Sequence, residues 1–226
     1  MALDKLVDSA QLDAGLGSVA DAIRAKGGTS AQLPFPAGFV SAIGELPAGG
    51  AYDIDELIDG SITSIVSDAA VIKVNAFSGC THMTAASLPE AARMGSGGTG
   101  VFGGCEALVS LSMPKMAGSV GVSAFNGCKA LPAADLAAGV TQILQQAFTS
   151  CYALEALVLR RTAGIVTIAN TSVFNNTPLT GRGGTYSGHV YVPAALLNSY
   201  RTASNWSALY ANYPGIFETI EGSVYE

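Results

Sequence analysis

The chain has 226 residues, of which 49% are hydrophobic and only 12% are charged, so it has ample apolar surface for a core and is not a disordered chain. Its formal net charge of −6 comes without any basic stretch, which argues against nucleic acid and anionic membranes as partners. No segment approaches the roughly eighteen consecutive apolar residues of a membrane-spanning helix, so we expect no membrane insertion.

Residues 1–46 show the periodicity of helices. A first apolar stripe, with spacings of 4, 3 and 4 residues, consists of Leu12, Leu16, Val19 and Ile23. Gly27 and Gly28 end this helix. A second apolar face consists of Phe39, Val40, Ile43 and Leu46. The pattern predicts a helical hairpin that is too small to be stable alone, so it must pack on the rest of the chain, on a sister chain or on a partner.

Part of this hairpin carries a resemblance to a known group of proteins. The stretch VADAIRAKGGTSAQLPFPAGFVSAI resembles an N-terminal segment common in tail-associated proteins of phages and prophages of gut bacteria. The resemblance implies that residues 1–46 attach the chain to other tail or virion proteins or to sister chains, as a homo-oligomer such as a trimer. Asp4, Asp8 and Asp13 interrupt the apolar run that a signal peptide needs. We therefore expect no export signal, which agrees with a particle assembled in the bacterial cytoplasm.

Residues 47–59 are predicted to form an acidic linker. The segment begins with the hinge-like string PAGGA and continues with Asp53, Asp55, Glu56 and Asp59. Such carboxylates could bind Ca²⁺, but they lack the spacing of an EF-hand loop and its final bidentate glutamate. We interpret the segment as solvated chain between two domains.

Residues 60–193 contain a repeat. The cysteines are spaced by 25, 23 and 23 residues and lie at Cys80, Cys105, Cys128 and Cys151, in the strings AFSGC, VFGGC, AFNGC and AFTSC. Apolar residues recur three and eight positions after each cysteine, and Phe174 continues the series with Thr177 in place of cysteine. A period near 23 residues with fixed apolar positions predicts a solenoid, in which stacked units share one core and equivalent residues form ladders.

The pattern AFxxCxxLxxLxLP resembles the BspA-type leucine-rich repeat, which occurs in bacterial surface proteins and in phage tail proteins. The resemblance covers roughly residues 60–193 and implies short strands joined by loops and turns. The sequence departs from the family pattern at Ala86 and Ala134, which take the usual aliphatic strand position. It also departs at the insert AARMGSGGTG, which replaces a short turn. These departures concern the regularity of the strand face rather than the fold.

The remaining motifs predict no catalytic residue, metal site or cofactor. The cysteines form no CxxC pair, and His82 and His189 lie at unrelated places, so buried thiols at one repeat position explain the cysteines better than disulfides or a zinc site. Residues 95–100 spell GxGxxG but lack the strand, helix and downstream acid of a dinucleotide site. GRGGTYSG at 181–188 lacks the lysine of a P-loop, and no GxSxG occurs.

Residues 194–226 follow the last strand and are rich in aromatic residues, namely Tyr200, Trp206, Tyr210, Tyr213 and Phe217. A solenoid needs an atypical terminal unit that covers its last layer, so we predict a C-terminal cap. An aromatic platform for a sugar ligand is the alternative interpretation.

Strand alternation predicts which side chains point outward. One outward column consists of Val66, Ser87, Ser112, Asp135, Val158 and Tyr191, and a second consists of Ser64, Ala85, Ser110, Ala133, Ala156 and His189. Both columns are small and nearly uncharged, as a merely solvated face would be. The binding hypothesis places ligand contacts where larger and polar groups gather, at Asp135, Val158, His189 and Tyr191.

The sequence therefore predicts a non-enzymatic leucine-rich repeat solenoid, preceded by a small N-terminal helical hairpin and closed by a C-terminal cap. The first functional hypothesis is a phage or prophage tail-associated protein, located in the virion, whose solenoid recognises a host cell-surface glycan or protein. The alternative is a bacterial cell-surface adhesin or a general protein-interaction module. An enzyme would need a polar cleft that the sequence does not display.

Overall fold

The structure of the protein is a computed structural model that describes residues 63–67, 69–89, 91, 93–94, 99–181 and 186–226. The predicted hairpin of residues 1–46 and the predicted linker of residues 47–59 lie outside the described residues, as does most of the GxGxxG string. The described part comprises the repeats and the segment that follows them.

Short parallel strands stack in two columns. The first column consists of β1 (Ser64–Val66), β3 (Ala85–Ser87), β5 (Ser110–Ser112), β7 (Ala133–Leu136), β9 (Ala156–Leu159), β11 (His189–Val192) and β12 (Phe217–Thr219). The second column consists of β2 (Val71–Ile72), β4 (Arg93–Met94), β6 (Ala117–Val120), β8 (Gly139–Ile143) and β10 (Thr167–Ile168). Equivalent residues of successive units pair in parallel, as Ser64 does with Ala85 and Ala85 with Ser110. This is the stacked arrangement that the repeat predicts.

The inward side of the first column forms part of the core. Leu88, Leu136 and Leu159, each eight residues after a cysteine, are at most 2% exposed. The two alanines that depart from the family pattern, Ala86 and Ala134, are also buried. The departure therefore shortens the side chains on this face but leaves the alternation of buried and outward positions intact.

A ladder of phenylalanine rings lies in the turns that contain the AFxxC strings. The rings stack on one another in the order Phe77, Phe102, Phe125, Phe148 and Phe174, with centroids 5.1, 5.3, 5.2 and 6.1 Å apart. The backbones of the turns are joined as well, because the N–H groups of the first four phenylalanines donate to carbonyls of the next unit, for example Phe102 to Ala124 at 2.7 Å. The turns therefore form a third hydrogen-bonded side of the solenoid.

The cysteine ladder is a set of hydrogen-bond donors. The Sγ–H groups of Cys105, Cys128 and Cys151 donate to phenylalanine carbonyls of the preceding units, at 3.0, 3.2 and 3.0 Å. All four thiols are free. The predicted burial is confirmed for these three cysteines, whereas Cys80 at the start of the ladder is only half-buried.

Burial keeps these thiols protonated. It raises the pKa of Cys105 and of Cys151 to about 12, and it also raises the pKa of Cys128 and of Cys80 above the ordinary thiol value. Because only the thiolate reacts with aromatic disulfide reagents, a raised pKa and burial both slow the reaction.

We expect titration of the folded chain with dithiobisnitrobenzoate at pH 7 to show one faster thiol, Cys80, while the other three react only as the chain unfolds. The substitution Cys80→Ser should remove the fast phase and leave the slow one unchanged. Four thiols that react at one rate in the folded chain would contradict the ladder of buried donors.

The residue before each cysteine has a left-handed backbone. Gly127 has φ of 76° there, and Ser150 takes the equivalent position with φ of 60°. A side chain at such an angle costs about 1–2 kcal/mol, which glycine avoids. A Cβ on Gly127 would lie 3.7 Å from Gly104, an ordinary contact, so the penalty there is conformational.

Two opposite substitutions should therefore shift stability in opposite directions. We expect Ser150→Gly to raise the free energy of unfolding by about 1 kcal/mol, and Gly127→Ala to lower it by about the same amount. Urea denaturation of both variants beside the parent chain measures the two shifts. A loss of stability in Ser150→Gly would show that its hydroxyl matters more than its backbone angle.

After β11 the chain forms a 3-10 helix (Ala194–Leu196), the helices α1 (Leu197–Thr202) and α2 (Trp206–Asn212), and β12. Strand β12 pairs with β11 and extends the first column by one strand. Tyr200 and Trp206 are both fully buried. The Trp206 ring lies 5.8 Å from Phe174, so it continues the phenylalanine ladder.

The same segment supplies hydrogen-bond partners to the last unit. The N–H of Val166 donates to the Tyr200 hydroxyl at 2.9 Å, and the Trp206 indole N–H donates to the Val166 carbonyl at 2.7 Å. Asn205 Nδ2 donates to the Ile168 carbonyl at 2.9 Å. These contacts lie beside β10, the outermost strand of its sheet in the described part of the chain.

Candidate functional site

The parallel register brings three of the four predicted binding residues into one row. Asp135, Val158 and Tyr191 are paired neighbours on β7, β9 and β11. His189 lies two residues earlier on β11, opposite Ala156. The four residues therefore share one region of the first column, and their role in binding stays a prediction.

Val158 is not exposed, which corrects the sequence prediction for this residue. Its exposed fraction is 0%, and Ala156 on the same side of β9 is buried as well. All four residues of β9 are buried, so burial does not alternate along this strand. Ala156 lies beside His189, whose Nδ1 is 3.1 Å from the Gly215 carbonyl oxygen in the loop before β12.

Two side-chain pairs involve the strands on either side of Val158. Arg160, two residues further along and on the same side, reaches across to Asp135. On the other flank the Tyr191 ring packs against the Tyr225 ring, with centroids 4.7 Å apart. Val158 is the register partner of both Asp135 and Tyr191, and it is 0% exposed.

Arg160 joins three segments at this point. Its Nε donates to Oδ1 of Asp135 at 2.8 Å, and its Nη2 donates to Oδ2 of Asp135 at 2.9 Å. The same Nη2 donates to the Tyr225 carbonyl oxygen at 2.9 Å. Hydrogen bonding to Asp135 raises the pKa of the Arg160 guanidinium above its ordinary value. Asp135 is therefore partly exposed but already paired.

A groove of about 390 Å³ opens beside this cluster, between β5 and β7. One wall consists of Leu111, Ser112, Met113 and Pro114, and the other consists of Asp135, Ala137, Ala138 and Arg160. Leu111 points toward the core yet is only half-buried, because the groove exposes it. The groove thus combines accessible apolar surface with one charged pair.

The groove lies where the strand ladder of the first column is interrupted. Strands β1, β3 and β5 form one sheet, and β7, β9, β11 and β12 form another. In neighbouring units the residue four positions after cysteine donates its N–H to the preceding unit, as Val109 does to Thr84 at 2.8 Å. Pro132 takes this position at the interruption and has no N–H to donate. This proline therefore removes one ladder hydrogen bond at the place where β5 and β7 belong to different sheets.

Sequence reasoning missed Arg160, Tyr225 and the structural effect of Pro132. Arg160 follows the repeat position of Val158 by two residues, so alternation could have placed it on the same side. Pro132 is visible as a missing donor once the units are aligned. Tyr225 carried no signal, because its place depends on how the chain returns across the sheet after β12.

Within the described ranges, His, Cys, Asp and Glu side chains nowhere gather in threes as a metal ion would need. In the same ranges, no helix combines the length and the apolar character needed to cross a bilayer.

Stacked short strands, regular ladders and a hydrogen-bonded turn in every unit define a leucine-rich repeat solenoid. The family of the BspA type leucine rich repeat region matches residues 70–181 in six copies. Residues 70–181 therefore consist of repeats of the BspA type, as the resemblance implied. No curated protein sequence matches the chain.

Two solved structures are similar to this chain. One is the T. pallidum Leucine Rich Repeat protein (TpLRR), with 21% identity, a TM-score of 0.48, and coverage of 60% of this chain and 61% of that chain. The other is a leucine rich cell surface protein from Faecalibacterium prausnitzii A2-165, with 24% identity, a TM-score of 0.49, and coverage of 63% and 35%. This chain covers less than two thirds of the length of each of these two proteins.

Proposed function

We propose that the protein is a non-enzymatic recognition module that binds another macromolecule with the outer face of its first strand column. The groove between β5 and β7 is the observation that carries this proposal. Interaction sites on proteins combine accessible apolar surface with a few placed polar groups, and the groove offers Leu111 beside the Asp135–Arg160 pair.

The face next to the groove is suited to contact with a large partner. Its outward residues on β1 and β5 are exposed and small, such as Ser64, Ser110 and Ser112. Val66 adds an exposed apolar side chain, with 58% of its surface accessible. Hydroxyl groups and small apolar side chains can approach a glycan or a protein surface closely without the cost of removing buried charges from water. Solenoid proteins use such continuous faces for binding.

The finer proposal concerns the setting in which this module works. The N-terminal resemblance to tail-associated proteins supports a phage or prophage tail protein, attached through residues 1–46 to other virion proteins or to sister chains. The solenoid would then contact a glycan or protein on the host cell. The alternative is a bacterial cell-surface adhesin, which the occurrence of this repeat type in bacterial surface proteins supports equally.

A binding assay with intact cells tests the recognition function. The fluorescently labelled full chain is incubated with a panel of gut bacterial cells and read by flow cytometry. We expect saturable binding to some strains that excess unlabelled chain displaces. Chain that is shown to be folded but binds no strain, beyond the level of a labelled control protein, would contradict the proposal.

Immunogold electron microscopy distinguishes the two settings. Antibodies against the chain are applied to particles released by prophage induction and to intact cells of the strain that encodes it. Gold on particle tails is expected for a tail protein. Gold on the surface of uninduced cells, with none on particles, would overturn that setting in favour of the adhesin.

We further propose that residues 194–226 close the end of the solenoid. Tyr200 and Trp206 are buried against the last unit, and both backbone groups of Val166 find partners among these side chains. Open edges of stacked strands need such cover. Full burial of Tyr200 and Trp206 excludes these two rings from an exposed sugar platform.

A further inference from the structure

Tyr225 lies on the outer face of the sheet in the manner of a bound ligand. Its ring packs on Tyr191 at 4.7 Å between centroids, and its backbone carbonyl accepts a hydrogen bond from Arg160 at 2.9 Å. The receiving surface is held in place independently, because Asp135 fixes the Arg160 guanidinium through two of its nitrogens. One side-chain contact and one backbone contact are what a peptide residue offers to a receptor.

The segment around Tyr225 is held by few other contacts. Its preceding residue, Val224, is 91% exposed, and Glu221 and Gly222 are exposed as well. The hydrogen bonds of Ser223 go to Ile220, Tyr225 and Glu226, within the segment itself, and Glu221 accepts one from the Ala194 N–H at 2.9 Å. A segment with so few contacts opens at low free-energy cost compared with the packed repeats. Tyr225 can therefore leave the site without disturbing the core.

We infer that Asp135, Val158, Arg160 and Tyr191 form a binding site for an aromatic residue of a partner's peptide segment, and that Tyr225 occupies this site in cis. The partner's ring packs on Tyr191 beside Val158, while the carbonyl of the same residue accepts a hydrogen bond from Arg160. This inference deepens the proposed function by naming a ligand class, and it rests on the chain being a recognition module.

The surface itself favours an aromatic ring as occupant. The ring of Tyr191 packs on that of Tyr225, and its register partner on β9 is the apolar Val158. Removing the Tyr225 ring would uncover one face of Tyr191. A tethered tail also competes at an effective concentration of about millimolar, so a free peptide must bind the parent chain more weakly than a chain without the ring.

The test uses the full chain carrying Tyr225→Ala and a capped, labelled peptide with the sequence of residues 221–226, acetyl-EGSVYE-amide. Fluorescence anisotropy is expected to show saturable binding to this variant, at least tenfold tighter than to the parent chain. The matched control Val224→Ala keeps the ring and should behave as the parent chain does. The peptide acetyl-EGSVAE-amide, which lacks the ring, should not bind.

A second readout locates the peptide and confirms that the variant is folded. The methyl resonances of Val158, the register partner of Tyr191, should move in Tyr225→Ala because a ring on Tyr191 is removed, and should return toward their parent positions when peptide is added. Peptide that binds equally well after Arg160→Ala is added to Tyr225→Ala would overturn the site. Absence of binding to folded Tyr225→Ala would overturn it as well.

A second copy of this chain is the alternative occupant of the site. The oligomeric state distinguishes a sister chain from a foreign peptide. If the parent chain is a dimer in light scattering and Tyr225→Ala is a monomer, the occupant is the segment around Tyr225 of a sister chain and not a foreign peptide. If the peptide does not bind Tyr225→Ala but the full chain still binds cells, only this inference is refuted. Peptide binding without cell binding would refute only the proposed host recognition.

Discussion

Replacing Trp206 with alanine is expected to lower the free energy of unfolding by about 3–5 kcal/mol. The ring is fully buried and contacts Phe174, Tyr200 and Phe217, with centroids 5.8, 5.6 and 5.7 Å away. Its loss leaves a cavity beside the last unit, and it also removes the donor of the Val166 carbonyl. Urea denaturation followed by circular dichroism measures the change.

Two controls separate the contributions of the ring. Trp206→Phe keeps an aromatic ring in place but removes the indole N–H, so we expect a smaller loss of about 1–3 kcal/mol for the unpaired carbonyl. Val224→Ala changes an exposed residue of the same segment and should stay within about 0.5 kcal/mol of the parent chain. If Trp206→Ala cost no more than Val224→Ala, the proposed closure of the solenoid end would be wrong.

Replacing Phe125 with alanine is the second change with a large expected effect, also about 3–5 kcal/mol. Phe125 is fully buried at the middle of the ladder and stacks on Phe102 and Phe148 at 5.3 and 5.2 Å. Its removal breaks the contact of two neighbouring units at once. Because adjacent units stabilise each other in a solenoid, we also expect a less cooperative unfolding transition, which a lower denaturant slope would show.

The same substitution at the start of the described ladder is the natural control. Phe77 is only half-buried. It stacks on Phe102 at 5.1 Å. We expect Phe77→Ala to cost about 1–2 kcal/mol less than Phe125→Ala, since less apolar surface is uncovered. Equal losses at the two positions would show that stacking between units contributes little.

The repeat could be predicted from the sequence because the same residue types recur at equivalent positions of successive units. The spacing of Cys105, Cys128 and Cys151 is enough to place them in one buried column, and each phenylalanine three residues earlier follows by the same logic. The hydrogen bonds of the thiols could not be predicted from the sequence. They join each thiol to the carbonyl of a phenylalanine 26 or 28 residues earlier, and that offset depends on how the units stack.

The candidate site was only partly predictable. Alternation placed Asp135, Val158 and Tyr191 on one face, and the register confirms that they are neighbours. It failed on the exposure of Val158, because all four residues of β9 are buried. The contact of Arg160 with Tyr225 joins residues 65 positions apart. Periodicity describes what repeats, and a chain segment that crosses the sheet once leaves no periodic trace.

The function follows from the surface rather than from the fold alone. A leucine-rich repeat region can serve many partners, so the groove beside Pro132 and the Asp135–Arg160 pair next to it carry the functional argument. A proline in a strand ladder removes a hydrogen-bond donor, and here it lies beside the groove in which Leu111 is only half-buried. The groove is therefore the place where a substitution should matter most for binding and least for folding.

The central claim, recognition through this face, is tested most directly by the affinity of a groove variant for the cells that bind the labelled chain. Ser112→Trp fills the groove from an exposed position, and Thr141→Trp places the same side chain at an exposed position of β8 in the second column. We predict that Ser112→Trp weakens cell binding at least tenfold, a change of about 1.4 kcal/mol, while Thr141→Trp leaves it unchanged. Equal binding by both folded variants would contradict the assignment of recognition to this face.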